Sequence, residues 1–304
     1  MCDDVGETTR GSTLVQPIEA FCHSARLAYL HAGTIGPAIV LLHGWGAFKE
    51  LWWATMTALA PHARLFAVDM PGHGQSPIDS TRRMEQVAQR IEQFCIAHQL
   101  EQIVLLGHSM GGNVAIELAL RRPSLIQSLV LVDAAANTGQ MPLYIRSYRD
   151  NVITWSILRV GLLLTKPIQP IGKQIPHLHG GGIIRPALRR IAYQANHDVT
   201  ALHILLHSLI TNPISARLAD IQVPTLVVSG QFDTLVPPAM SRATAQTIPG
   251  AQYSVIPGSS HNPMDEKPDD FARVLAQFLH VQHPAQLEAE TNSSTVPTKG
   301  NGHD

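Results

Sequence analysis

Residues 105–113 read LLGHSMGGN, so that one serine, Ser109, lies between two glycines. An apolar run precedes this stretch and a helical pattern follows it. At a tight turn from strand to helix, the serine backbone is strained, its Oγ projects clear of the sheet, and glycines two positions away avoid collisions. The helix N-terminus also offers partial positive charge to an oxyanion. A glycine turn that only redirects the chain would carry the same letters, but this context favours a nucleophilic serine.

Short apolar runs on either side of this turn indicate the architecture. They are rich in β-branched and aliphatic residues, as is typical of strands covered on both faces of a parallel sheet. They lie at residues 38–42, 65–68, 103–106, 129–132 and 225–228. Helical patterns alternate with them, for example over residues 82–98 and 113–122. The alternation predicts a doubly wound, mostly parallel α/β sheet, led by an antiparallel pair at 16–21 and 26–31.

The alternation is interrupted once. Residues 137–213 contain helical patterns at 145–164 and 186–210, with proline-rich and glycine-rich joints between them. We therefore predict a helical cap, or lid, over 137–213, inserted into a core made of residues 16–136 and 214–283. The ends, 1–15 and 284–304, are polar; we expect a flexible N-terminus and a disordered tail.

Composition excludes several classes of protein. The chain has 304 residues, 45% of them hydrophobic, and 22 basic against 23 acidic side chains, a balance that gives no reason to expect a nucleic acid partner. The longest lipophilic segment, 152–164, is interrupted by Arg159 and is too short to span a bilayer. The N-terminus lacks the features of a secretory signal, so we expect a cytoplasmic protein.

Cys2, Cys22 and Cys95 are too widely spaced for a disulfide framework or a zinc site. The sequence does not predict the oligomeric state.

Four motifs together resemble the α/β-hydrolase superfamily, in particular its serine esterases and lipases with a helical cap. Besides the serine turn, they are HGWG at 43–46, DMPGHGQS at 69–76, SGQFDTLVPP at 229–238 and GSSHNPMDEKPDDF at 258–271. The resemblance extends from Gln16 to Val281. It implies an α/β-hydrolase fold and a catalytic serine, acid and histidine in that chain order.

The resemblance assigns roles to individual residues. Ser109 is the nucleophile, His261 the general base and Asp233 the carboxylate that orients the base. His261 is followed by four residues, then glutamate, one residue and proline, as in the family. Asp133, at the end of an earlier strand, is a rival for the acid because some members use that position. The expected oxyanion donors are the backbone N–H groups of Trp45 and Met110. Such a site needs no metal or organic cofactor.

Other histidines and the DMPGHGQS turn are interpreted as structural. His43 is expected to brace the HGWG loop, and His108 to point away from the site along its strand. His203 and His207 have zinc-like spacing but lack a third ligand, so we interpret them as residues of a cap helix. Asp69 is expected to accept backbone hydrogen bonds within its turn.

The predicted activity is hydrolysis of a carboxylic ester of a hydrophobic small molecule through an acyl-enzyme. Hydrolysis of a carbon–carbon bond in a ring-fission product is an alternative, although residues 46–48 and Asn262 differ from the pattern of those relatives. A non-catalytic ligand-binding protein on the same fold is a second alternative. Thioesterase, perhydrolase and acyl-transferase activities stay open. A serine nucleophile argues against the dehalogenases and epoxide hydrolases, which use aspartate.

Overall fold

The computed structural model describes residues 16–143, 152–165, 197–212 and 214–282. Within these ranges, eight strands form a single sheet in the order β1-β2-β4-β3-β5-β6-β7-β8. The strands are β1 (Ile18–Cys22), β2 (Leu27–Ala32), β3 (Ala38–Leu42), β4 (Arg64–Val68), β5 (Ile103–His108), β6 (Ile126–Val132), β7 (Thr225–Gly230) and β8 (Gln252–Ile256). The pairs β1–β2 and β2–β4 are antiparallel, and the remaining pairs are parallel. The predicted fold class is confirmed, with the antiparallel lead-in pair at one edge.

Eight helices accompany the sheet in the described residues. They are α1 (Trp53–Leu59), α2 (Met84–Ala97), α3 (Met110–Arg121), α4 (Val152–Thr165), α5 (Val199–Thr211), α6 (Pro238–Thr247), α7 (Pro263–Glu266) and α8 (Pro268–Gln282). The helix predicted over 113–122 begins at Met110, directly after the serine. The structure adds α1 and α6, which the periodicity did not predict.

The interior strands are buried on both faces, and alternate residues supply two separate cores. In β3, Val40 and Leu42 belong to the core shared with α2 and α3, whereas Ile39 and Leu41 belong to the core that contains Trp52 and Phe271. All four β3 residues are fully buried. The continuous apolar runs in the sequence follow from this, because a strand with helices on both faces has no solvent side.

The described part of the segment 137–213 lies between β6 and β7 and contains α4, α5 and a short turn of 3-10 helix, but no strand. The predicted helix over 186–210 is wrong in one respect: His197 and Asp198 are not helical, and α5 begins after them. Asp198 caps α5 by accepting hydrogen bonds from the backbone N–H groups of Thr200 and Ala201 at 2.8 and 3.3 Å. The division into core and cap stays a prediction.

The predictions for 1–15 and 284–304 lie outside the described residues, as do parts of both predicted cap helices. Among the helices described, no single one has both the length and the apolar composition to cross a membrane; α5 passes that test only in combination with the bent segment Ile214–Asp220.

Parallel pairing places the functional loops at one edge of the sheet. β3 pairs Leu42 with Gly107 of β5, and β5 pairs His108 with Val132 of β6. The same level continues to Val228 of β7. Loops that leave these strands at their carboxyl ends therefore meet, as is usual for ligand sites of open α/β sheets.

Candidate active site

Ser109 occupies a strained turn between β5 and α3. Its φ is +52° and its ψ −116°, a conformation that residues other than glycine rarely adopt. The flanking glycines are required by space: a Cβ on Gly107 would lie 2.4 Å from the Gly111 carbonyl oxygen, and one on Gly111 would lie 2.5 Å from that of His43. The backbone at Ser109 is held because its N–H donates to the Val132 carbonyl at 3.0 Å. Strain of this kind persists only where the surroundings fix it.

The three residues predicted from the motifs lie in line. The Nε2 of His261 is 3.1 Å from the Oγ of Ser109, and its Nδ1 is 2.7 Å from Oδ2 of Asp233. The other oxygen of Asp233, Oδ1, accepts the backbone N–H groups of Leu235 and Val236 at 2.7 and 3.0 Å. Asp233 is 3% exposed, so its charge is held by these donors and not by water. The arrangement can accept a proton from the serine and stabilise the resulting imidazolium.

The loop that carries His261 is held by contacts with Glu266 and with β7. Glu266 accepts hydrogen bonds from the backbone N–H and the Oγ of Ser260, at 2.6 and 2.8 Å. Gly230 lets this loop approach β7, because a Cβ there would lie 1.8 Å from the Ser260 carbonyl oxygen. The glutamate five positions after the histidine matches the family spacing, and in the structure it anchors the loop.

The prediction that His108 points away from the site is wrong. Its Nε2 lies 2.7 Å from the carbonyl oxygen of His261, and the two rings are 4.8 Å apart. β5 ends at His108, so its side chain meets the His261 loop at the edge of the sheet. The contact restrains the backbone of His261, a support that no local sequence pattern indicates.

Asp133 lies beside Asp233 as a second buried carboxyl group. Its Oδ1 accepts the Gly230 N–H at 3.0 Å, and its backbone has a φ of +43°. Burial, then the charge of Asp233, raises the pKa of Asp133 well above its usual value. Burial alone would raise the pKa of Asp233 as well, but the hydrogen bond and charge of His261 outweigh it and lower that pKa. The two shifts thus favour the neutral form of Asp133 and the charged form of Asp233, which faces His261.

The HGWG loop lies against the serine turn. A Cβ on Gly44 would come within 3.0 Å of Cβ of Ser109, so glycine is needed for this approach. His43 donates from Nδ1 to the Gly44 carbonyl at 2.8 Å, which agrees with its predicted bracing role. Within the described part of the chain, no acceptor is bonded to the backbone N–H of Trp45 or Met110. Both N–H groups are thus available as hydrogen-bond donors.

A cavity of about 280 Å³ opens beside Ser109. Its apolar lining comes from the HGWG loop and the residues after it, and from α5. Among the described residues that line it, none is an aspartate, glutamate, lysine or arginine. His108, Ser109, His261 and Asn262 contribute polar side chains to its lining. Such a cavity fits an apolar group attached to a reacting carbonyl.

The turn at 69–76 supports the HGWG side of the site. Asp69 accepts the backbone N–H groups of Lys49 and Gln75 at 2.9 and 3.3 Å, as predicted for this turn. Lys49 Nζ contacts three carboxylates, on Glu19, Glu50 and Asp69, at 2.8, 2.9 and 3.0 Å. Burial alone would lower the pKa of Lys49, but the neighbouring carboxylates raise it above its usual value. No sequence pattern indicated this buried cation, since lysine is rarely buried.

Ligand atoms of Asp133, Asp233 and His261 lie within 4.8 Å of one another, a spacing that a metal ion also uses. Within the described residues, Oδ2 of Asp133 has no hydrogen-bond partner, and the other contacts of the three groups are those given above. Among the described residues, this is where a metal would be held if one were bound.

Comparison with known proteins agrees with the geometry. A family model described as "Alpha/beta hydrolase family" matches residues 39–274. The chain belongs to the alpha/beta hydrolase family. Relatives of this alpha/beta hydrolase include the pimeloyl-acyl-carrier-protein methyl ester esterase of Nitrosospira multiformis, 27% identical over 263 residues, covering 80% of this chain and 94% of that protein. The enzyme of the same name from Yersinia pestis is 28% identical over 250 residues, covering 79% and 92%.

Solved structures resemble this alpha/beta hydrolase over most of its length. A thermophilic esterase from Thermogutta terrifontis has a TM-score of 0.67 and 27% identity, covering 88% of this chain and 99% of that one. A bromoperoxidase from Bacillus anthracis has a TM-score of 0.70 at 22% identity and shows the fold alone. The relatives are esterases, so the comparisons support ester hydrolysis as the general activity.

Proposed function

We propose that this protein is a serine hydrolase that cleaves a carboxylic ester of a hydrophobic small molecule through an acyl-enzyme intermediate. The observation that carries the proposal is the line of hydrogen bonds from Ser109 Oγ to His261 and on to Asp233, at 3.1 and 2.7 Å. A buried row of polar side chains would destabilise the fold if its only role were packing, because each side chain must be desolvated.

The first half-reaction forms the acyl-enzyme. Ser109 Oγ attacks the ester carbonyl while His261 Nε2 takes its proton, and Asp233 stabilises the imidazolium through Nδ1–H. The carbonyl oxygen becomes an oxyanion, which the N–H groups of Trp45 and Met110 stabilise. Each such donor contributes about 3 kcal/mol in characterised enzymes. The C–O bond then breaks, and His261 gives its proton to the departing alkoxide.

The second half-reaction releases the acid. Water gives a proton to His261 and attacks the acyl carbonyl, and the same N–H groups stabilise the new oxyanion. The intermediate collapses, the bond to Ser109 Oγ breaks, and His261 returns the proton to the serine. All proton transfers pass through the one imidazole, so no metal is needed to balance the reaction.

The cavity supports an uncharged, apolar substrate group. Its described lining offers aliphatic and aromatic side chains, among them Phe48, Leu51, Leu206 and Leu209, and no formal charge. A carboxylate placed there would lose its hydration without gaining a partner. Two relatives are named for a methyl ester, so small alcohol leaving groups belong in any substrate test.

A fluorophosphonate probe and a pair of matched methyl esters test the proposal. Intact-mass analysis should find one adduct, absent in Ser109→Ala. Methyl hexanoate should be hydrolysed with a kcat/KM at least about tenfold above that of monomethyl adipate, which carries a carboxylate at the same chain length. Folded protein without an adduct would favour the ligand-binding alternative, and faster cleavage of a ring-fission dienone than of any ester would favour carbon–carbon hydrolysis.

A further inference from the structure

Three imidazoles hold three consecutive peptide groups of the HGWG loop. His43 Nδ1 donates to the Gly44 carbonyl at 2.8 Å. The Gly46 N–H donates to Nε2 of His73 at 3.1 Å, and the Gly46 carbonyl lies 2.9 Å from Nε2 of His197. These bonds fix the peptides 44–45, 45–46 and 46–47 in turn. The loop orientation is therefore set by side chains and not by regular secondary structure.

His197 differs from the other two because it comes from the segment inserted between β6 and β7. It precedes α5 and is 7% exposed, so it is buried against the core at a sequence distance of 151 residues from Gly46. Its ring lies 5.2 Å from that of His73, which in turn lies 5.0 Å from that of His43. The three rings form one continuous cluster under the loop.

The second nitrogen of His197 defines its protonation state. Nδ1 accepts the backbone N–H of Gly74 at 3.3 Å, so the proton must be on Nε2, which donates to the Gly46 carbonyl. A protonated ring would point an N–H at another N–H. Burial lowers the pKa of His197 and keeps this neutral form.

Neighbouring contacts join the same segment to Trp45. The indole Nε1 donates to the Leu202 carbonyl of α5 at 2.8 Å, and the ring packs edge-on against Trp155 of α4 with centroids 6.3 Å apart. The inserted segment thus holds both the side chain of Trp45 and the carbonyl of Gly46.

A peptide group is planar and trans, so its N–H points opposite to its C=O. The Trp45 N–H and the Gly44 carbonyl belong to the same peptide group. His43 holds this peptide through its hydrogen bond to the Gly44 carbonyl oxygen. The bonds to Gly46 restrain the two peptides that follow, so the loop on the carboxyl side of Trp45 cannot shift and pull the 44–45 peptide out of place.

We propose that His197 is a positioning residue for ester hydrolysis: by holding the Gly46 carbonyl it keeps the Trp45 N–H aimed at the oxyanion, and so links docking of the inserted segment to catalysis. The proposal rests on ester hydrolysis at Ser109. It predicts that the loop has its reactive geometry only while the segment that carries His197 is docked on the core.

Two conservative substitutions separate the two bonds of this ring. His197→Gln retains a donor near the Nε2 position and can still reach the Gly46 carbonyl. His197→Asn retains an acceptor near the Nδ1 position for Gly74 but has no donor at the Nε2 position. His207→Asn is the matched control, because His207 is an exposed histidine of α5 and does not line the cavity.

Each variant is assayed for kcat, KM, melting temperature and the Ki of a trifluoromethyl ketone that forms a tetrahedral adduct with the serine. His197→Asn should lose about tenfold or more in kcat, with KM within about threefold and the inhibitor weakened by the same factor as kcat/KM. His197→Gln and His207→Asn should stay within about threefold of wild type.

Equal activity of the Asn and Gln variants, or a loss in Asn that follows melting temperature but leaves the inhibitor Ki unchanged, would overturn the role of His197. An active wild-type protein in that experiment leaves the proposed function intact. A wild-type protein inert to both esters and fluorophosphonate would instead overturn the proposed function, and the role of His197 with it.

Discussion

The carboxyl groups of Asp133 and Asp233 are both buried and lie within 4.8 Å of each other beside His261. Oδ1 of Asp133 accepts the Gly230 N–H, whereas its Oδ2 has no hydrogen-bond partner among the described residues. Asp233 receives hydrogen bonds from His261 and from two backbone N–H groups, which stabilise its charged form. Burial and the neighbouring charge of Asp233 raise the pKa of Asp133, so the pKa values of the two groups are shifted in opposite directions.

This pairing predicts how Asp133→Asn changes stability with pH. The folded-state pKa of Asp133 is raised, so above its unfolded value of about 3.9 the folded protein retains a proton that the unfolded chain releases. Wild-type stability is therefore lost progressively as pH rises from about 4, whereas asparagine does not titrate. The free energy of unfolding of the variant, relative to wild type, should increase between pH 4 and pH 8 in urea titrations. A difference that is constant with pH would mean that Asp133 is ionised in the folded state.

The same pair predicts which acid assists His261. Asp233→Asn should lower kcat by at least about 100-fold, because the imidazolium loses its charged partner. Asp133→Asn should change kcat by less than about threefold, since the hydrogen bond of His261 Nδ1 goes to Asp233 and not to Asp133. Steady-state kinetics on a p-nitrophenyl ester checks both. The reverse order would make Asp133 the triad acid.

Ser109→Ala and His261→Ala should each lower kcat by at least about 1000-fold on an activated ester, and the double variant should be little worse than either single one. The reason is that the two groups act as a unit, so removal of one makes the other ineffective. Fluorophosphonate labelling of His261→Ala should slow in parallel. Losses that add in free energy would contradict a shared step.

The histidine cluster under the HGWG loop predicts acid lability. Burial lowers the pKa of His43 to about 3, and also lowers the pKa values of His73 and His197. Below about pH 6.5 the unfolded chain binds protons that the folded protein excludes, so stability falls as pH falls. Each imidazole that stays neutral at pH 5 should reduce the free energy of unfolding by about 2 kcal/mol relative to neutral pH. Urea titrations at pH 7 and pH 5 measure this loss of stability. Replacing His197 by glutamine should make the loss smaller by the contribution of one histidine.

The buried cation at Lys49 predicts a large effect on stability. Lys49→Met leaves the buried carboxylate of Asp69 without its ammonium partner and should lower the free energy of unfolding by about 3–5 kcal/mol. Arg273→Met is the matched control, because its ion pair with Asp270 is exposed and should contribute less than about 1 kcal/mol. Chemical denaturation of both variants gives the comparison. Similar small losses would mean that the carboxylates around Lys49 become protonated when the cation is removed.

The local chemistry of this chain was readable in its sequence. Gly107 and Gly111 are needed at this turn from strand to helix, because a Cβ on Gly107 would collide with backbone four or five residues later and a Cβ on Gly111 would collide with the end of β3. Continuous apolar runs predicted the interior strands for an equally local reason, since strands covered on both faces have no polar side. The roles of Ser109, Asp233 and His261 were then predicted from the resemblance.

What the tertiary structure decided concerns contacts between distant parts of the chain. His108 was predicted to point away from the site, but its ring meets the His261 loop. The raised pKa of Asp133 depends on its burial and on a second carboxylate one hundred positions later, and the proposed role of His197 depends on a carbonyl in a different loop. Periodicity and motif spacing report only neighbours along the chain, whereas hydrogen-bond partners and pKa values are set by the path of the chain in space and by the loss of water around groups that the fold brings together.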